Sequence, residues 1–127
     1  MKSKLEIYAL SVCFAAVVCL VISTGIAGYS VFEIIAPELT MSSYKYDRYQ
    51  TNEAYWKSIT SCSQDEKAEV KPNEEELTKR RQKAFVVAVK AEKREGAQLL
   101  IRCLMFILAS GITLLIHWKI AQKSRAA

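Results

Sequence analysis

The residues whose types could do chemistry are few: four cysteines, one histidine and a run of three glutamates. Cys13, Cys19 and Cys103 lie inside apolar sequence, where a thiol behaves as a small hydrophobe. Cys62 is the one cysteine in polar sequence, which leaves it for a disulfide between two chains. No CxxC and no Cys/His group at zinc spacing occurs, so the sequence offers no metal-ligand set. Glu74, Glu75 and Glu76 follow Lys71-Pro72-Asn73. Asn73 can cap a helix and Glu76 can close a capping box, so these carboxylates read as a helix start rather than an acid–base pair. His117 precedes Trp118 and Lys119 with no carboxylate or cysteine beside it, and reads as an interfacial side chain rather than a proton sensor. With no nucleophile–base pair and no glycine-rich phosphate cradle, we expect no enzyme and no cofactor.

The elements around these residues are set by hydropathy. The hydrophobic share of 51% is ordinary, but it is concentrated in residues 8–36 and 97–118. Charge is almost confined to the rest. A soluble chain spreads its apolar residues at helical or strand period, so this segregation points to membrane spans. The expected fold is an all-α integral membrane protein. It is a two-span antiparallel transmembrane hairpin with a small helical extramembrane loop domain. The expected divisions are a basic N-terminal tail (1–7), transmembrane helix 1 (8–36), the loop domain (37–96), transmembrane helix 2 (97–118) and a basic C-terminal tail (119–127).

The first block resembles a signal peptide only in its opening lysines and its small residues near Ala27. Its 29 apolar residues far exceed a signal core of roughly 7–15, so an uncleaved span is expected. As a helix it would measure about 43 Å against a hydrocarbon core of about 30 Å, so it must tilt or protrude. Pro37 stops it, because the residue before a proline is pushed out of helical geometry. Ser11, Ala15, Cys19, Ser23 and Ala27 form a row of small residues at four-residue spacing. In lipid, close approach through small side chains is what lets helices associate, and such a row suits a right-handed crossing with the second span or another chain.

In the loop, a helix is expected from about residue 74, supported by Glu75–Lys79 and Glu76–Arg80 at the favoured spacing and order. The pattern allows either one helix through Gly96 or a stop there, with Lys93 and Arg94 as a basic last turn. Residues 84–89 read AFVVAV, which a lone solvated helix does not tolerate. Tyr44, Tyr46, Tyr49, Tyr55 and Trp56 are the available cover, packing with Phe85 and the valines or forming a partner surface. Thr51 or Asn52 can start a short helix among them. Residues 61–73 are polar without period and read as a mobile connector.

Glu33 and Arg102 fall at the loop-side ends of the two spans, where an ion pair would offset the cost of each charge. The net charge of +5 is not a nucleic-acid signal, because residues 37–96 hold 12 basic and 11 acidic residues. The excess lies in the tails, at Lys2, Lys4, Lys119, Lys123 and Arg125. The basic flank before the first span sets the expected orientation in a plasma or inner membrane: termini cytoplasmic, loop outside. The expected function is a non-enzymatic membrane interaction protein, an accessory or self-assembling subunit. Its partners would be the lipid bilayer and another membrane protein or a second copy of itself, with no nucleic acid. The alternative is a small homo-oligomeric ion channel or pore, although neither span carries a continuous polar stripe.

Overall fold

The computed structural model describes residues 4–61 and 70–126. Among these the chain is all helical: α1 Lys4–Ile35, α2 Pro37–Thr40, α3 Ser43–Arg48, α4 Asn52–Thr60 and α5 Glu74–Ala126. Cys62 lies outside the described residues, as does most of the 61–73 connector. The helices form two compact units, Met1–Val31 with Gly96–Ala127, and Phe32–Glu95.

Two helices, α1 and α5, are long and apolar enough to cross a membrane. α1 ends at Ile35: Ala36 leaves helical geometry at φ −133° and ψ 64°, and Pro37 opens α2. Proline is well placed there, since its missing N–H is unpaired in any first turn. α5 runs unbroken through Gly96 for 53 residues. One glycine costs a helix about 1 kcal/mol, which strong helix formers on either side absorb.

In the first unit, α1 buries Glu6, Ala9, Cys13, Ala16, Ser23 and Ser30, with Leu20 and Ala27 half-buried in the gaps. On α5, Gly96, Cys103 and Ala121 are buried, and Leu100, Ile107, Ser110, Leu114, His117 and Ser124 are half-buried. Both sets step by alternating threes and fours, the 3.5-residue period of helices packed at a shallow angle. Rising numbers on α1 meet falling numbers on α5. Arg125 pairs with Glu6 at 2.8 Å, the Tyr8 and His117 rings lie 6.0 Å apart, and Cys13 Sγ–H points at Leu114 O from 4.0 Å. Outside this seam most apolar side chains are exposed, with Leu10, Val12, Leu99 and Ile120 half-buried beside it, and only 22% of the apolar stretch of α1 and 6% of that of α5 are buried.

The second unit has a core of its own, with Leu77 fully buried and Met41 and Tyr55 nearly so. Thr51 caps α4 by accepting the Ala54 N–H at 3.1 Å, and Leu77 N–H closes the first turn of α5 on Asn73 O at 2.9 Å.

Candidate interaction surfaces

The small residues of α1 divide between two faces. Ser23 is buried and Ala27 half-buried, so both join the seam, while Ser11, Ala15 and Cys19 are exposed. The reason is angular. A four-residue step advances 400° on a helix turning 100° per residue, so a four-residue row drifts off a 3.5-residue seam after two members. Gly25 and Gly28 have open space around them, with nothing within 4 Å of where a Cβ would stand. Beside Ser11, the side chains of Ile7, Leu10 and Phe14 complete a shallow apolar groove.

Four hydroxyls within the apolar stretches are satisfied by their own helix. Ser11 donates to Ile7 O, Thr24 to Leu20 O, Ser30 to Ile26 O and Thr113 to Ala109 O, at 2.7 to 3.0 Å. His117 Nδ1 lies 2.9 Å from Thr113 O, one turn back on the same helix. These contacts pair polar groups that stand among exposed apolar side chains.

In the second unit, Phe85 meets Tyr49 at 5.7 Å and Tyr46 edge-on at 6.5 Å, and Tyr49 continues to Tyr55 at 6.1 Å. Trp56 is half-buried, whereas Tyr44 is 76% exposed and stands outside the cluster. The 84–89 run is not covered as a whole. Ala84, Phe85, Ala88 and Val89 are half-buried, but Val86 and Val87 are exposed. Apolar residues in unbroken succession point all round a helix, so one layer of aromatics covers only part of them.

Polar contacts hold this unit together. Glu92 is buried against Lys45 at 3.4 Å, and Arg81 donates to Gln50 O. Asn52 Nδ2 donates to Glu74 Oε2 at 2.8 Å and to Thr78 Oγ1 at 2.9 Å, fastening α4 to the start of α5. Glu75 pairs with Lys79 at 2.9 Å and Glu76 with Arg80 at 2.6 Å, so Glu76 spends its carboxylate on Arg80. The hydrogen bond from Asn52, then Lys71, hold the Glu74 carboxyl below its ordinary value.

Tyr44, Asp47, Arg48, Ala54, Lys57, Ser58 and Ser61 line an open hollow of about 290 Å³. Its cations sit in the last turns of α3 and α4, where they offset the negative helix ends. That use accounts for them without an anionic ligand. Glu33 belongs to this unit, with Oε2 buried and lacking a hydrogen-bond partner. Arg102 is exposed in the other unit. No group of acidic, histidine and cysteine side chains among the described residues could hold a metal ion. No protein family, curated protein or solved structure matches the chain.

Proposed function

We propose that the chain is a non-enzymatic membrane interaction protein, an accessory or self-assembling subunit built on a two-span antiparallel hairpin. The membrane part rests on exposure. Phe14, Val21, Ile22, Phe32, Ile101, Met105, Phe106, Leu108 and Leu115 are each more than half exposed, and hydrocarbon is the medium that tolerates such a surface. With Cys13 beside Leu114, an antiparallel pair sets Ala16 opposite Ser110, and heptad steps from there set Ser23 opposite Cys103 and Ser30 opposite Gly96. Small residues facing each other let the two backbones come close, which is how helices associate in lipid. On this reading both termini share one side, the cytoplasmic one by the basic tail rule.

The observation that carries the interaction role is the second small-residue face. α1 uses one set of small residues within the chain and leaves Ser11, Ala15 and Cys19 free on another. A self-contained hairpin needs one such face. The hydroxyls of Ser11 and Thr24, turned back on their own carbonyls, suit a surface in contact with lipid or protein better than the wall of a water-filled pore. The test is the mass of the full chain extracted with native lipid. A dimer, a higher oligomer or a stoichiometric partner is expected; a strict monomer that retains no partner defeats the proposal.

A further inference from the structure

We propose that the outward face of α5 in the second unit, made by Lys83, Val86, Val87, Lys90 and Arg94, docks an acidic amphipathic segment of a different protein. The inference rests on the reading of the chain as an interaction subunit and names the chemistry of the partner.

Spacings of three, one, three and four put these five residues on one side of the helix. At its centre Val86 is 52% and Val87 66% exposed, because the tyrosines cover only the Phe85 side. Around them the charge is uncompensated. Four other cations of this unit have carboxylate partners, Lys45 with Glu92, Lys71 with Glu74, Lys79 with Glu75 and Arg80 with Glu76, whereas Arg48, Lys57, Arg81 and Lys93 pair with none among the described residues. Lys83, Lys90 and Arg94 form no ion pair among the described residues. Lys90 and Arg94 repel each other at four-residue spacing, and so do Lys79 and Lys83. The nearest inward carboxylate, Glu92, is buried and taken by Lys45. Glu95 points about 100° away from Arg94. An apolar centre ringed by unpaired cations complements a helix or strand with an apolar stripe edged by carboxylates.

Two other occupants fit less well. A second copy offers no row of carboxylates beside an apolar stripe: Glu74, Glu75 and Glu76 are engaged with their own lysines and arginine, and the described carboxylates outside ion pairs, Glu33, Glu38, Asp47, Glu53 and Glu95, sit on five different helices. An anionic bilayer would need the strip to lie flat. From Lys83 to Arg94 it runs for about 16 Å along a helix that continues into apolar sequence, against a Debye length of about 8 Å.

The experiment places the photocrosslinker p-benzoylphenylalanine at Val87 of the full chain in its native membranes, with a companion variant carrying it at Ala15. From Val87 we expect an adduct with one other protein, mapped by mass spectrometry to an acidic stretch. Its yield should fall roughly five-fold or more in 0.5 M salt or in the Lys83→Glu, Lys90→Glu, Arg94→Glu variant. If that variant loses helical circular dichroism, the same comparison is made with Lys→Gln and Arg→Gln changes. The inference is overturned by adducts with lipid only, by adducts with a second copy, by a yield indifferent to charge, or by no adduct. If Ala15 captures a protein and Val87 does not, this inference fails while the interaction reading stands. If neither captures one, both fail.

Discussion

Glu6 and Arg125 lie 119 positions apart in the chain and meet at 2.8 Å, Oε1 to Nε. The Glu6 side chain is 10% exposed and that of Arg125 56%. A half-solvated guanidinium thus covers a nearly buried carboxylate, joining the beginning of α1 to the end of α5. Arg125→Ala leaves the carboxylate under cover without its counter-charge, and should cost up to about 1 kcal/mol. Glu6→Gln should cost less. The check is a double-mutant cycle on reversible unfolding in mild detergent: single losses that simply add would show that the two residues are not coupled.

Ala15 and Ala16 are neighbours in sequence but stand on opposite sides of the packing problem. Ala16 is 6% exposed in the seam, while Ala15 is exposed. Ala16→Leu should overpack the α1–α5 contact and destabilise the chain by about 1–3 kcal/mol. Ala15→Leu should leave chain stability within about 0.5 kcal/mol. If the outer row is a contact face, that second change should lower oligomer or partner occupancy. Equal unfolding midpoints for the two variants would mean that the seam does not run where its burial pattern indicates.

The sequence made some of this legible and left other parts open for identifiable reasons. The two apolar helices follow from segregated hydropathy, and the break at Ala36 from the rigid ring of Pro37. The pairs Glu75–Lys79 and Glu76–Arg80 are local, so spacing alone finds them. The seam is different. Small residues in the first block occur at both four-residue and alternating three–four spacing, and only the facing helix distinguishes the two. The fate of the valines was hidden similarly: periodicity cannot say how far round a helix a neighbouring layer extends, and here it covers the side of Phe85, Ala88 and Val89 and leaves Val86 and Val87 exposed. Continuity through Gly96 is a balance of about 1 kcal/mol against the pull of a long helix, which no local signal decides.

Phe85 is the residue on which the tyrosine cluster depends. It is half-buried rather than sealed, so Phe85→Ala should cost about 1–3 kcal/mol, below the roughly 3–5 typical of a buried ring. Hydrogen exchange of the α3 and α4 amides should accelerate accordingly. Val87→Ala, on the open face, should change the same amides little. Equal acceleration in both variants would show that the cluster does not hold α3 and α4 in place.

Glu74 provides a pH-dependent test of the link between α4 and α5. Its carboxyl is held below the ordinary value of 4.5, first by the hydrogen bond from Asn52 and next by Lys71. A depressed folded pKa means that the ionised form favours the folded state. The contribution is therefore fully present above the unfolded value and is lost as pH falls through the depressed folded one. Because the group is solvent-exposed, the effect is best read on the titration itself rather than on global stability. In a carbon-13 titration of the Glu74 carboxyl, Asn52→Ala and Lys71→Ala should each raise the midpoint. The double variant should bring it back near 4.5. A midpoint unmoved by Asn52→Ala would mean that Asn52 Nδ2 does not donate to this carboxylate in solution. The side-chain fastening of α4 to the start of α5 would then fall to the hydrogen bond from Asn52 to Thr78.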